Sequence, residues 1–231
     1  MQNWDVRLTP GSTLGIVGPV GSGKSTFLKL LQLLESPPTG AIFLDGQDIT
    51  EFSPSSVRKK FAYVSQEPFL FSDTVRNNLL MSRPQADEEE LAQAVERAAL
   101  TEDLADFPEG LDTLLGERGI SLSGGQKQRT ALARAFLKTA PFVLLDDTLS
   151  AVDTVTEGRI LSYLQTKQQN PKPCIVIVSH RLSAMAQADE ILVVDEGVIV
   201  DRGTHQNLSS RDGIYRDLLA HQSEGEVEPL V

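Results

Sequence analysis

The sequence is poor in cysteine and has no long apolar run. Its only cysteine, Cys174, excludes an intramolecular disulfide, which fits a reducing compartment, and its apolar neighbours predict a small buried core residue. No apolar run approaches the roughly 20 residues that a membrane-spanning helix needs. The N-terminus lacks the basic and apolar regions of a signal peptide. We therefore expect an intracellular chain that reaches a membrane only through a partner or a further segment.

Basic residues are also scarce, since 21 Lys and Arg stand against 32 Asp and Glu, for a formal net charge of -11. The electrostatic field of so negative a chain repels nucleic acids and anionic lipids, so we expect no nucleic-acid partner. Any polyanion that the chain binds must then be held by a local site. The 40% apolar and 23% charged residues are typical of a globular fold, and 231 residues suit one large domain or two lobes that share a core.

Short apolar runs alternate with helical patterns along most of the chain. Strands are predicted at Trp4–Leu8, Leu14–Val17, Ala41–Leu44, Phe61–Val64, Phe142–Leu145, Ile175–Val178, and in a hairpin of Ile191–Val194 with Val198–Val200. Helices are predicted at Lys24–Leu34, Glu88–Leu100, Lys127–Leu137 and 155–166. Continuously apolar strands favour an α/β fold with a mostly parallel sheet covered on both faces.

The middle of the chain differs from its two ends. Residues 67–140 carry helical patterns and predict an α-helical lobe inserted into an α/β core of residues 1–66 and 141–222. Residues 223–231 form an acidic tail that we expect to be frayed. We treat 1–231 as a single domain.

A glycine-rich loop follows the second predicted strand and leads into a helix. It matches the phosphate-binding P-loop pattern over Gly18, Pro19, Val20, Gly21, Ser22, Gly23, Lys24, Ser25 and Thr26. Glycines let backbone N–H groups approach phosphate oxygens, and the helix N-terminus adds a positive dipole. Lys24 is placed to reach the β- and γ-phosphates of ATP, and the Ser25 hydroxyl to bind Mg²⁺.

The apolar run Phe142–Leu145 ends in Asp146. A buried strand that ends in an acid is a weak signal alone, because many strands do so. Together with a P-loop it is the Walker B pattern, in which Asp146 holds Mg²⁺, through water.

A third motif, Leu122-Ser123-Gly124-Gly125-Gln126, lies between the first two and precedes a predicted helix. Small residues at a helix N-terminus expose N–H groups, and the Ser123 hydroxyl adds a further donor suited to a γ-phosphate. The motif is the signature sequence of the ABC ATPases, which this chain resembles over nearly its whole length. The resemblance implies the P-loop NTPase fold of that family, with ATP and Mg²⁺ as ligands.

The resemblance also assigns roles to residues that carry little signal alone. Gln66, after a strand, is similar to the Q-loop glutamine that senses Mg²⁺ and the attacking water. Asp153, in Ser150-Ala151-Val152-Asp153, is similar to the D-loop aspartate, and His180 to the switch histidine that contacts the γ-phosphate. A lone histidine after a strand is more often structural, but its order among the other motifs favours the functional interpretation.

Two further runs resemble exporter-type members of the family. Gly116-Glu117-Arg118-Gly119 is similar to their X-loop, and 69–75 is similar to bacterial half-transporters of the multidrug-resistance-like type. The resemblance implies a transmembrane domain as partner, in the same longer chain or separate, a second ABC ATPase domain, and a place at the cytoplasmic face of the plasma (inner) membrane.

Asp147 departs from the family pattern, which has glutamate after the Walker B aspartate as the base for the attacking water. Aspartate is shorter by one methylene, a loss of reach of ~1.5 Å, and a misplacement of about 1 Å can cost on the order of a hundredfold in rate. Heterodimeric exporters resemble this arrangement, because one chain has an impaired acid and its partner keeps the glutamate.

The start of the chain also departs from the pattern. Only 17 residues precede Gly18, and Trp4 is the only aromatic residue among them. We interpret Trp4 as a core residue rather than the family's adenine-stacking aromatic. The expectation is therefore that N-terminal strands of the domain are missing, that the chain is a fragment, or has a mis-assigned start, of a longer half-transporter, and that it binds ATP weakly.

Phe69, Leu70 and Phe71 allow two interpretations, a docking site for a helix of the membrane domain or the core of the helical lobe.

For the whole chain we expect an exporter-type ATPase domain that is the impaired half of a heterodimer. The alternatives are a regulatory module that binds ATP without turnover, which Asp147 favours, and a soluble ABC ATPase of DNA repair or translation. The lack of a coiled coil, a second cassette and a basic surface weighs against the latter.

Overall fold

The computed structural model describes residues 4–116, 122–165 and 172–225. Its strands are β1 (Thr13–Val17), β2 (Phe43–Leu44), β3 (Gln47–Asp48), β4 (Phe61–Val64), β5 (Phe142–Asp146), β6 (Cys174–Val178), β7 (Glu190–Asp195) and β8 (Val198–Gly203). Its helices are α1 (Lys24–Leu31), α2 (Pro54–Lys59), α3 (Val75–Leu80), α4 (Glu88–Arg97), α5 (Thr101–Asp106), α6 (Gly124–Leu137), α7 (Thr154–Gln165), α8 (His205–Ser209) and α9 (Ile214–Gly225). Short 3₁₀ turns occupy Ile49–Glu51, Gly110–Asp112 and Leu182–Met185.

A six-stranded sheet in the order β4-β5-β6-β1-β7-β8 forms the centre of the fold. Every neighbouring pair is parallel except the β7–β8 hairpin. Successive side chains of a strand point to opposite faces, and both faces here are covered. On β5, Leu144 belongs to the apolar cluster that holds α1 and α2, whereas Leu145 belongs to the cluster shared with α6 and α7. The predicted mostly parallel α/β sheet is confirmed.

The stretch 67–140 contains α3, α4, α5 and α6, as predicted for a helical lobe, whose exact limits stay a prediction. Asp87 and Glu90 form a capping box that starts α4, and Leu91 and Val95 on the same face of that helix are buried against α6. A bidentate ion pair ties α5 to α6, with Asp103 oxygens 2.6 and 2.7 Å from Arg129 nitrogens. Apolar packing of α4 on α6 and the partly shielded Arg129–Asp103 pair therefore both help to hold the lobe together.

The predicted strand at Trp4–Leu8 is wrong. The alternating side chains are real, because Trp4, Val6 and Leu8 pack against the α1 cluster, but no described strand pairs with this segment. A strand needs ladder partners as well as an alternating pattern. Trp4 itself stacks on Phe27 with ring centroids 4.8 Å apart, which agrees with the predicted core role.

Several element limits differ from the predicted ones. Helix α1 ends at Leu31, because Leu33 takes a left-handed conformation with φ 50°, and the first strand of the β2–β3 hairpin has only two residues. Helix α6 begins three residues before the predicted Lys127, at Gly124. The end of the predicted 155–166 helix, residues 117–119 of the X-loop resemblance and most of the acidic tail lie outside the described residues.

Cys174 is buried and free, as predicted, and burial raises the pKa of its thiol. Within the described ranges, no helix combines the length and apolar character needed to cross a bilayer.

Candidate functional site

The predicted site residues gather at one edge of the sheet. Parallel strands β1, β5 and β6 lie near one another, so the loops after their carboxyl ends meet. These loops carry the P-loop after Val17, Asp146 and Asp147 after Leu145, and His180 after Val178. The topology thus brings together three motifs that are far apart in the sequence.

The P-loop requires glycine at two of its positions for different reasons. Gly18 has φ 151°, and a Cβ there would stand 1.9 Å from the Val194 carbonyl oxygen. Gly23 has φ 102° at the N-cap of α1, a conformation that side chains with a Cβ rarely adopt. Because no side chain caps α1 in the described structure, the N–H groups of its first turn, which includes Ser25 and Thr26, are available to an anion.

Lys24 lies across the loop that precedes it and is buried. Its ammonium donates hydrogen bonds to the carbonyl oxygens of Gly18 at 2.8 Å and Pro19 at 2.7 Å, and to Ser22 Oγ at 3.3 Å. Burial lowers the pKa of Lys24, while the carboxylates of Asp146 and Asp147 oppose that shift. The cation is therefore held at the loop where the pattern places phosphates.

Ser25 and Asp146 provide a pair of oxygen ligands. Ser25 Oγ donates to Asp146 Oδ1 at 2.9 Å, and the Tyr63 hydroxyl donates to Asp146 Oδ2 at 3.1 Å. Burial, with Asp146 beside it, raises the pKa of Tyr63 well above its usual range, so the hydroxyl stays a donor. A hydroxyl and a carboxylate at this edge suit Mg²⁺, which prefers few protein oxygens and completes its shell with water and phosphate. Among the described residues, no group of three or more His, Cys, Asp or Glu side chains is placed to hold a metal ion.

Asp147 brings together the predicted catalytic residues. Its Oδ2 accepts from Gln66 Nε2 at 3.3 Å, and its Oδ1 accepts from the backbone N–H of His180 at 3.2 Å. The His180 side chain is exposed beside it. Asp147 itself is buried and has φ 49°, a left-handed conformation that aspartate tolerates better than most residues. Gln66 thus contacts Asp147, and its predicted contact with a metal stays a prediction.

The signature motif lies on α6 and is built differently. Ser123 caps the helix, because its Oγ accepts from the Gln126 N–H at 3.2 Å and Gln126 Oε1 accepts from the Ser123 N–H at 3.0 Å. The Ser123 hydroxyl proton is left to donate outward. A Cβ on Gly125 would stand 3.0 Å from the Ala151 carbonyl oxygen, so the motif packs against the chain's own D-loop; Gly124 is exposed.

Asp153 has a local structural role in addition to its predicted contact with nucleotide. Its Oδ1 accepts from the N–H groups of Val155 and Thr156 at 3.1 and 3.0 Å, which caps α7. Hydrogen bonds from Thr156 lower the pKa of Asp153.

Comparison with known proteins decides the family. The family model described as ABC transporter matches residues 1–150. The chain belongs to the ABC transporter family. The fold is accordingly that of its P-loop ATPases, and the resemblance inferred from the motifs is confirmed.

The relatives of this ABC transporter chain are exporter-like proteins. It is 42% identical over 229 residues to the multidrug resistance-like ATP-binding protein MdlA of Buchnera aphidicola, covering 99% of the chain and 39% of that protein. It is 43% identical to the ATP-dependent lipid A-core flippase 1 of Colwellia psychrerythraea, covering 94% and 36%. The structure of a bacterial Atm1-family ABC exporter with ATP bound matches with a TM-score of 0.88 at 41% identity, covering 94% of the chain and 38% of the exporter. The chain is thus an ATPase domain of the exporter type and spans less than two fifths of these relatives.

Three contributors were missed from the sequence. Tyr63 bonds to Asp146, Arg181 donates to the D-loop carbonyl oxygens of Ser150 and Val152, and Gln222 bonds to the backbone around His180. None of these three residues belongs to a motif that would identify it from the sequence. The pairing of β4 with β5 could have indicated Tyr63, and the position of Arg181 after His180 could have indicated a link to the D-loop.

Proposed function

We propose that this chain is the ATP-driven motor of an exporter and that the ATP site on its own P-loop is the slower of a pair. The observation that carries the proposal is Asp147 at the position of the water-activating base. It is shorter than glutamate, and its carboxylate already accepts bonds from Gln66 and His180. A short carboxylate that already accepts two hydrogen bonds is poorly placed to accept a proton from the attacking water.

The roles proposed for the site follow from its geometry. The Gly18–Thr26 loop and Lys24 hold the phosphates, while Ser25 and Asp146 hold Mg²⁺, which supplies charge neutralisation at the phosphates. Gln66, Asp147 and His180 orient the attacking water and the γ-phosphate. Ser123, Gly124, Gly125, Gln126 and Asp153 contact nucleotide held by a second ABC domain, in a head-to-tail pair.

The proposed second domain is a different chain that retains the glutamate. In such a heterodimer, the partner's P-loop and this chain's signature make the fast site, and this chain's P-loop makes the slow one. ATP binding closes the pair, and hydrolysis with phosphate release reopens it. A regulatory module without turnover is the alternative that the same Asp147 supports.

A transmembrane domain is the second proposed partner. Leu70 is fully buried, as the core interpretation required, but Phe69 and Phe71 are 53% and 44% exposed and stack edge to face at 4.8 Å. They line a groove of about 580 Å³ together with Met81 and Arg134. A groove with exposed aromatic rings, which follow Gln66 closely in the sequence, suits a helix from a membrane domain, which would place the chain at the cytoplasmic face of the membrane.

The test is steady-state ATPase of the assembled transporter that carries Asp147→Asn in this chain. We expect activity within about threefold of wild type, because the fast site does not use this residue. Near-complete loss would show that Asp147 is the working base and would reject the heterodimer. Single-turnover hydrolysis by this chain alone and with its partner separates a slow site from the regulatory alternative, for which the chain's own P-loop shows no turnover in either state.

A further inference from the structure

The switch segment around His180 is held from outside the ATP site. The His180 N–H donates to Asp147, as described, and its carbonyl oxygen accepts from Gln222 Nε2. Gln222 Oε1 in turn accepts from the Leu182 N–H at 3.0 Å. One side-chain amide therefore holds two backbone groups on either side of Arg181, from a position 42 residues further along the chain.

Helix α9, which carries Gln222, is anchored to the core by a short apolar face. Tyr215 is 1% exposed, and its hydroxyl lies 2.7 Å from His205 Nδ1. Leu218 and Leu219 pack against the main apolar cluster, and Gln222 follows Tyr215 by two helical turns on the same face. Helix α9 is thus packed against the core on the side from which the amide of Gln222 reaches the switch segment.

The flanking contacts also fix the backbone of this segment. The Arg181 N–H donates to Ser179 Oγ at 2.9 Å, and its guanidinium donates to Ser150 O and to the buried carboxylate of Glu157. The backbone from Ser179 to Leu182 is therefore bonded on both sides, while the His180 imidazole is exposed. Such an arrangement fixes the backbone from which the imidazole projects.

We infer that Gln222 is a positioning residue for His180 and that helix α9 sets the place of the switch histidine at the ATP site. The inference rests on the proposed catalytic role of His180. Gln222 does not touch nucleotide; it acts through the His180 and Leu182 backbone. Loss of its amide should lower the rate of hydrolysis and leave ATP affinity unchanged, because the P-loop and Lys24 bind the phosphates independently.

The first measurement is hydrogen–deuterium exchange, by mass spectrometry, of the full chain. In Gln222→Ala, we expect the Leu182 amide to exchange at least about tenfold faster, because its acceptor is gone. Gln222→Glu keeps the acceptor and removes the donor to the His180 carbonyl, so Leu182 should stay protected. His221→Ala changes the exposed neighbour on the same helix and serves as the control. Unchanged exchange of Leu182 in Gln222→Ala would overturn the inference.

The second measurement is single-turnover ATP hydrolysis with the chain in excess over ATP, in a double-mutant cycle. We expect Gln222→Ala and Gln222→Glu to lower the rate constant about tenfold, with the Kd for ATP within twofold. In a His180→Ala background, Gln222→Ala should have no further effect, since it acts through that side chain. An equal loss in both backgrounds would show a merely structural role and overturn the inference.

The two proposals fail in different ways. If His180→Ala leaves the rate constant unchanged, the proposed role of His180 in hydrolysis is wrong, and Gln222 cannot then position a working residue. If His180→Ala lowers the rate but Gln222→Ala does not, the proposed function stands and the role of Gln222 is rejected.

Discussion

The chain carries two phosphate-binding surfaces that are built in opposite ways. The P-loop surface is embedded in the sheet, and Ser22, Lys24, Asp146 and Asp147 are all buried. The signature surface has exposed Ser123 and Gly124, and its hydrogen bonds are those of one helix cap. The first surface is preorganised by strands on several sides, whereas the second offers donors outward from a single helix terminus.

This difference supports the proposal that the second surface is completed by another molecule. A preorganised cradle can bind nucleotide alone, because its charges and donors already converge. A helix terminus with one hydroxyl adds donors to a phosphate that something else holds. Substitutions on the two surfaces should therefore separate binding from turnover.

Lys24→Ala should have the largest effect, a loss of ATP binding of more than about 100-fold. Hydrogen bonds from a charged group contribute about 1.5–3 kcal/mol each, and the ammonium can make more than one to the phosphates. Titration calorimetry measures the affinity, and circular dichroism should show an intact fold. Lys29→Ala, one turn on in α1 and exposed beside Glu35 at 3.8 Å, is the matched control. Equal affinity in wild type and Lys24→Ala would reject the P-loop assignment.

Ser123→Ala should lower steady-state ATPase of the assembled pair about 100-fold, because it removes a donor from the fast site. It also removes a helix cap, which costs about 1 kcal/mol of stability. Ser53→Ala isolates that cost, since Ser53 Oγ caps α2 through the Ser56 N–H at 3.2 Å. Equal loss of activity in both variants would mean that Ser123 acts only as a cap.

Asp147→Glu should raise turnover at the chain's own site several-fold if reach is the only defect. Its left-handed φ of 49° suits glutamate less than aspartate, so a small loss of stability should accompany the gain. Single-turnover hydrolysis of bound ATP measures the rate, with Asp147→Asn as the control that should show no gain. A rate unchanged by Asp147→Glu would show that the held carboxylate, rather than its length, limits the site.

Tyr63→Phe should have the smallest effect, a Mg²⁺ requirement raised about fivefold. It removes one hydrogen bond to Asp146, a loss of about 1 kcal/mol. Burial raises the pKa of Tyr63 above its unfolded-state value near 10, so the hydroxyl stays protonated and remains a donor throughout pH 6 to 9. The difference in Mg²⁺ requirement between wild type and Tyr63→Phe should therefore not vary across that pH range. Mg²⁺ titration of ATPase measures it, with Tyr163→Phe, whose ring lies under the Arg97 guanidinium at 4.7 Å, as a control outside the site. A difference that disappears within that pH range would contradict the assigned donor.

The sequence predicted most of the fold because its signals were local. An apolar run predicted strand β4 at Phe61–Val64, and two apolar runs across the Glu196-Gly197 turn predicted the β7–β8 hairpin. The residue spacing of the P-loop pattern predicted that loop. The strand predicted at Trp4–Leu8 was wrong because strand pairing depends on a neighbouring strand that the alternating pattern does not specify. Tyr63 and Gln222 were missed for the same reason, since their partners lie 83 and about 40 residues away and become visible only once strands and helices are packed.

The position of β1 in the middle of the sheet has a consequence for how the chain is made. β1 precedes its two neighbours in the sheet, β6 and β7, by most of the domain's length, so it is synthesised well before them. Ser12 and Cys174, which meet beside the β1–β6 pair, are 162 residues apart. The entropic cost of closing so large a loop must be met before the strand contacts can stabilise the sheet, so the centre of the sheet forms late. On the ribosome, the nucleotide cradle therefore appears only after β6 and β7 have emerged, and ATP can stabilise the finished domain but no fragment that ends before these strands.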